Sequence, residues 1–190
     1  MKRLLPALAT CATASLLFAG TALADTYKVD PDHTFAIFAI SHLGIGQAYG
    51  RFDQSTGNFV VEAGALKSVS IDIDAASVST ASKKRDTHLA GPDFFNVKQY
   101  PKLSFKSTAV EASGDKAYKV TGDMTIRGVT KSLTIDVTQT GAGKDPWGND
   151  RVGFETTFSI DRMDFGVAFM PDGLGKQVKI ILASEGILEK

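Results

Sequence analysis

Sulfur and imidazole are scarce in this chain. Of its 190 residues one is cysteine, Cys11, and three are histidine, His33, His42 and His88. A single cysteine forms no disulfide within the chain, so stability has to come from burial. No G-x-S-x-G elbow is present to offer an activated serine. The spacing of the histidines matches neither H-x-x-x-H nor H-E-x-x-H, which leaves no local zinc signature. Read plainly, His33 opens a strand, His42 ends it and His88 sits on a short helix. A basic stripe, the electrostatic footprint of a polyphosphate partner, is also missing. The one dense basic cluster, Lys83-Lys84-Arg85, is closely followed by Asp86. These absences argue against an enzyme, a metal protein and a nucleic-acid binder.

Long apolar runs are missing as well, with one exception at the start. Lys2 and Arg3 precede an alanine-rich apolar stretch from Leu4 to Gly20, and Ala22-Leu23-Ala24 has the small-x-small form of a signal-peptidase site. The stretch falls short of the about 20 apolar residues that span a bilayer. Residues 1–24 are therefore expected to be a cleaved signal peptide and residues 25–190 one exported, periplasmic domain. Cys11 lies inside the leader, preceded by Thr10, and not at the cleavage point where a lipid-modified cysteine would stand. Without Lys2 and Arg3 the 21 basic residues become 19, against 21 acidic ones spread without long runs.

Period-two alternation dominates what remains. Val69-Ser70-Ile71-Asp72-Ile73-Asp74 and Leu133-Thr134-Ile135-Asp136-Val137-Thr138 alternate without a slip, as half-buried strands do. Noisier versions occupy Phe35–Ser41, Asn58–Glu62, Lys102–Thr108, Tyr118–Ile126, Gly153–Ile160 and Val178–Ser184, for about eight strands. Turn-formers separate them at Ser55-Thr56-Gly57-Asn58, Ser113-Gly114-Asp115-Lys116, Arg127-Gly128 and Pro171-Asp172-Gly173. These connections are too short for crossover helices, so neighbours should pair antiparallel. Thr140 to Arg151, with Gly141, Gly143, Pro146 and Gly148, is expected to form a structured loop around Trp147. From Ser82 to Ala90 the alternation stops. Ser79, Thr80 or Ser82 can cap a short helix there, and Gly91-Pro92 ends it. Asp93-Phe94-Phe95 follows, which suggests a plug or lid over one end of the sheet.

Eight antiparallel strands lose both unpaired edges by closing into a barrel. The interior of such a barrel is either filled by side chains or large enough for one ligand. Eleven of the twelve phenylalanines lie beyond the leader, and a packed core and a lipid cavity share that composition. Asp72 and Asp74 share the outer face of one strand as an ordinary solvated pair.

The ordered set of motifs resembles the YceI-like family over nearly the whole mature chain. It comprises Asp32-His33, Phe38-x-Ile40-x-His42-Leu43-Gly44, Gly50-Arg51-Phe52, Ser77-Val78-Ser79-Thr80, Arg85-Asp86-x-His88-Leu89, Phe94-Phe95, Tyr100-Pro101 and Phe105. It continues with Gly122-Asp123-Met124-Thr125-Ile126-Arg127-Gly128-Val129-Thr130-Lys131, in which Met124 replaces the family's usual leucine. Asp145-Pro146-Trp147-Gly148 and Asp161-Arg162-Met163-Asp164-Phe165-Gly166 complete it.

The resemblance implies an all-β, lipocalin-like antiparallel barrel with a helical insertion, whose cavity takes a polyisoprenoid, an isoprenoid quinone or a fatty-acid derivative. No cofactor other than such a lipid is implied. The family pattern puts Phe38, Ile40 and His42 inward, which leaves Ile37 and Ala39 outward and a homodimer through them as an open expectation. By strand parity the interior should carry Phe38, Ile40, Ile71, Ile73, Phe105, Met124, Ile126, Ile135, Val137, Phe154, Phe158, Ile180 and Leu182. Phe94 and Phe95 are expected beside the mouth with His42. Arg85, Asp86 and His88 are the head-group candidates, with structural pairing of Arg85 and Asp86 as the competing role. Lys131 and Arg162 carry the same two readings, structural pairing or head-group contact, and Arg162-Met163-Asp164-Phe165-Gly166 could shape either a turn or an entrance. The alternative function is a solid barrel that acts as an envelope stress or interaction protein.

Overall fold

A computed structural model describes residues 23–190, and the expected leader, with Cys11, lies outside the described residues up to residue 22. Ten strands follow in order: β1 (Ala24–His42), β2 (Gly46–Phe52), β3 (Ser55–Glu62), β4 (Ala65–Asp74), β5 (Val78–Ser79), β6 (Lys102–Gly114), β7 (Ala117–Ile126), β8 (Val129–Lys144), β9 (Asp150–Asp161) and β10 (Leu174–Leu188). The helix α1 (Lys83–Ala90) lies between β5 and β6, and 3₁₀ turns occupy Ala75–Ser77 and Arg162–Phe165. All strand pairs are antiparallel, as the short turns require.

Eight of the strands close a ring in the order β10-β9-β8-β7-β6-β4-β3-β1, and β1 returns to β10. The alternating sequences explain the closure, because each strand then presents one apolar face to a common interior. At one end, which we call the base, Ala24–Lys28 of β1 pair with Asn58–Glu62 of β3. There Val29, Phe59, Val61, Leu66, Val69, Tyr118, Val120, Ile135, Val137, Val152 and Phe154 belong to one buried cluster. Beyond a register shift between Val29 and Thr34, the same edge of β1 changes partner: Ala36–His42 pair with Gly46–Phe52 of β2. The outer edge of β2 meets only β5, through Arg51↔Ser79 and Phe52↔Val78. The ring is therefore open at the other end, the mouth, between β2 and β6. The segment from α1 to Tyr100 fills that gap, with Leu89 and Phe95 packed against Phe52, Val78 and Leu103.

Each of the eight expected strands lies inside an observed barrel strand, which is longer. Three local expectations fail. Ser55–Asn58 is the start of β3 and not a turn, because Gly57 and Asn58 pair with Ile71 and Ser70. The supposed loop from Thr140 shrinks to residues 145–149, since Gly141 and Gly143 remain in register with Gly153 and Arg151. His33 does not open a strand either. It sits nine residues inside β1, at the register shift, with its Nδ1 2.8 Å from Asp30 Oδ2. Helix α1 starts after Ser82, but that residue makes no side-chain capping bond.

Candidate functional site

The ring encloses a cavity of about 1280 Å³. Drug-sized ligand pockets run from about 300 to 1,000 Å³, so this interior is large, and it is not a core filled by its own side chains. That removes the solid-barrel alternative.

Strand alternation supplies most of the wall. Phe38 and Ile40 of β1, Ile71 and Ile73 of β4, Phe105 of β6, Met124 and Ile126 of β7, Ile135 and Val137 of β8, Phe154 and Phe158 of β9, and Ile180 and Leu182 of β10 all border the cavity. The same parity, carried further along each strand, finds Val69, Val120 and Thr156, which also border it. Phe52 and Phe59 were missed for another reason. Phe52 ends β2, whose two glycines in Gly46–Phe52 give no strand signal of their own. Phe59 belongs to the part of β3 expected to follow a turn.

The mouth is aromatic and partly basic. His88 of α1 stacks edge-on against Phe94 and Phe169, with ring centroids 5.0 and 5.1 Å apart, and Phe94 lies 5.3 Å from Phe169. His88 Nε2 is 2.9 Å from Asp93 Oδ2. Phe95 meets Phe52 edge-on at 5.4 Å, and Phe52 lies 5.8 Å from Phe38. His42, exposed at the end of β1, borders the same opening.

Of the head-group candidates, Arg85 and His88 border the cavity and Asp86 does not. The Asp86 carboxylate accepts hydrogen bonds from the Thr80 backbone N–H, at 2.8 Å, and from the Thr80 hydroxyl. Thr80 in turn accepts from Arg85, whose Nε reaches Thr80 Oγ1 at 2.7 Å and whose Nη2 reaches the Thr80 carbonyl at 2.6 Å. Asp86 is thus a positioning residue: it fixes Thr80, which orients the guanidinium. Arg85 makes no ion pair among the described residues and borders the cavity.

Arg162 also borders the cavity at the mouth, buried to 4% exposure. Its guanidinium donates to the carbonyls of Gly175, Val167, Phe169, Met170 and Leu174. All five of its donors are used, so it shapes the loop that carries Phe169 and Met170. Burial pulls its pKa below the ordinary arginine value, and Asp161 opposes that shift. Lys131 is exposed on β8 and does not border the cavity.

A second charged cluster stands at the base. Arg151 donates to Asp145, Asp30 and Glu185 at 2.8, 2.7 and 2.9 Å. The Arg151 bond, with further bonds from Asn149 and the Trp147 N–H, holds the Asp145 carboxyl well below the usual carboxylate range despite burial. For Asp30 burial acts upward, but hydrogen bonds from Arg151 and His33 outweigh it and lower its pKa. The cluster stands at the base, with Arg151 and Glu185 on outward-facing positions of β9 and β10, and does not border the cavity. His33 belongs to it, while His42 and His88 belong to the mouth, and no group of three metal-ligating side chains occurs among the described residues.

An antiparallel barrel, packed at its base and open at a lip of aromatic and basic side chains around an apolar hollow, defines a lipocalin-like barrel. The chain belongs to the YceI-like family, whose domain model matches residues 27–185. UPF0312 proteins of Pseudomonas putida strain W619 and Pseudomonas aeruginosa strain LESB58 are 39% and 40% identical to it, over 93% and 95% of this chain and 93% and 96% of theirs. Among solved structures, Burkholderia cenocepacia BcnA has the same fold, with a TM-score of 0.75 and 24% identity over 83% of this chain and 98% of that one. The Campylobacter jejuni YceI protein superposes with a TM-score of 0.69 and 26% identity, over 79% of this chain and 90% of that one. A polyisoprenoid binding domain from Saccharophagus degradans, implicated in plant cell wall breakdown, shares the fold at a TM-score of 0.67 and 14% identity, over 86% of this chain and 98% of that one.

Proposed function

We propose that this protein binds a long amphiphilic lipid, a polyisoprenoid, an isoprenoid quinone or a fatty-acid derivative, and does no chemistry on it. The tail lies in the barrel and the polar head sits at the mouth beside Arg85 and His88. The observation that carries this reading is the mainly apolar cavity of about 1280 Å³ that runs from the mouth into the barrel. Each buried CH₂ contributes roughly 0.8 kcal/mol. Ordering the tail offsets much of that gain, so large ligands retain only about 0.3 kcal/mol per heavy atom. A wall that is mainly apolar, with few polar groups such as Thr156 and Ser184, reads girth more than tail length, so selectivity among chains should be modest. The sequence of the leader supports export, and the periplasm is the compartment in which we expect the protein to act as carrier, store or sensor.

Mass spectrometry of organic extracts from folded protein, purified from the periplasm without detergent, tests this directly. A stoichiometric isoprenoid or fatty-acyl species is expected, and less of it from Phe38→Trp and Phe158→Trp, whose larger rings fill the cavity. A folded protein that yields no lipid, and takes none up when offered it, would sink the reading.

A further inference from the structure

The mouth carries large apolar side chains that fold stability does not explain. Ile45, Leu43, Phe169 and Met170 are 86%, 51%, 39% and 39% exposed. Leu43 and Ile45 form the β1–β2 turn, while Phe169 and Met170 lie on the loop held by Arg162. The two loops are joined, since the Leu43 N–H donates to the Gly173 carbonyl at 2.7 Å. Above Gly173 the side chains converge: a Cβ there would stand 2.3 Å from Met170 Cε and 3.3 Å from Leu43 Cδ2. Leu43 and Met170 also sit at φ of 55° and 54°. That left-handed region suits glycine or asparagine, and a large side chain there is costly. All four residues border the cavity, so the exposed rim is continuous with the apolar interior.

Charge marks the same end. Lys83 and Lys84 of α1, Lys131 at the start of β8 and Lys176 at the start of β10 are exposed and form no ion pair among the described residues. At the base Lys67, Lys119, Lys144 and Arg151 are each matched to a carboxylate, and only Lys28 and Lys116 among the exposed cations of its strands and turns are not. Four unpaired lysines against the two exposed carboxylates of the rim loop, Asp164 and Asp172, leave the surround of the apolar rim net positive, which matches an anionic lipid surface: apolar side chains enter the acyl boundary and lysines meet the head groups.

We propose that the mouth docks on the surface of an anionic bilayer, with Leu43, Ile45, Phe169 and Met170 inserted, so that a lipid passes between membrane and cavity without crossing water. This rests on the lipid-binding reading above and adds the partner and the orientation. Trp147, the sole tryptophan, is 80% exposed at the tip of the β8–β9 turn, at the base. Sixteen residues of β8 at roughly 3.3 Å each lie between it and the mouth, about 50 Å along the strand.

The test is flotation of the mature protein with vesicles of phosphatidylethanolamine and phosphatidylglycerol, and with phosphatidylcholine vesicles, alongside the lipid extraction described above. Binding is expected to the anionic vesicles, to fall with added salt, and to leave Trp147 emission unchanged. Ile45→Glu should weaken it about tenfold or more. Lys83→Glu/Lys84→Glu, both outside the cavity wall, should weaken it by at least roughly fivefold per charge while the extracted lipid content stays the same. Folded, lipid-containing protein that does not float would overturn the docking and leave the cavity reading intact. Lipid-free extracts and failed uptake would defeat the cavity reading whatever the flotation shows. Variants that bind like the wild type, a blue shift of Trp147, or a concentration-dependent dimer abolished by Ile45→Glu would each assign the rim to something other than a membrane.

Discussion

The ring of Phe38 lies directly over Gly50, its register partner on β2, so closely that a Cβ at Gly50 would stand 2.2 Å from Phe38 Cζ. The neighbouring Thr80 Cγ2 would be 2.8 Å from the same atom. Glycine at this position lets the aromatic ring fold down against the wall. The lumen beside it stays open as a result.

Gly50→Ala is therefore expected to destabilise the protein by about 1–3 kcal/mol, the usual cost of overpacking, and to push the Phe38 ring into the cavity. Urea denaturation checks the first effect. A lower lipid content in extracts checks the second, and wild-type values for both would mean that the ring yields without cost.

The base cluster predicts acid sensitivity. The carboxyls of Asp145 and Asp30 titrate below their ordinary value near 3.8 when folded. Between the folded and unfolded pKa the unfolded chain binds more protons, so their stabilisation is complete above about pH 4 and is lost as pH falls through the lower, folded values. Arg151→Met removes the cation that lowers both. The variant should be less stable than wild type at pH 7, and the difference should shrink below about pH 4. Thermal denaturation across pH measures it, and a gap independent of pH would show that packing, not charge, is what Arg151 supplies.

Arg162→Lys replaces five fixed donors by three mobile ones. Carbonyls of the 166–175 loop that water cannot reach should each cost about 1–3 kcal/mol when left unpaired. Limited proteolysis should then cut near Phe169, and the urea midpoint should fall. Resistance equal to wild type would mean that the loop is held by its turns alone.

Trp147 offers an intrinsic control. Its backbone N–H donates to Asp145 Oδ1 at 3.0 Å in a turn that projects into solvent. Emission should be that of a hydrated indole and should not respond to a lipid in the barrel. In a Phe158→Trp variant a second, blue-shifted component should respond to lipid, and response at Trp147 itself would mean that base and cavity are coupled.

Strand identity and parity were legible in the sequence because burial on one face imposes a period of two, as from Val69 to Asp74 and from Leu133 to Thr138. Most of the wall followed from that alone. The hollow did not, because alternation fixes which side chains point inward and not how far apart opposite walls stand. Strand β2 was illegible for a different reason: its glycines carry no strand preference, and pairing with β1 imposes the conformation from outside. A structural role for Asp86 was among the two expected, but its partner was hidden, since the position of Thr80 is decided by how the chain leaves β5. Arg162 is the strongest case, because its five acceptors are backbone carbonyls that no side-chain pattern announces.

Strand β1 bonds to β10 along its length but divides its other edge between β3 and β2. The base is consequently a complete hoop, whereas the upper barrel resembles a cuff fastened at β2 by the two residue pairs with β5 and by the packing of α1. Such a cuff can change its circumference without disturbing the hoop. On the proposed lipid-binding reading, loosening that one clasp is expected to admit a bulky molecule while the hoop below it stays folded.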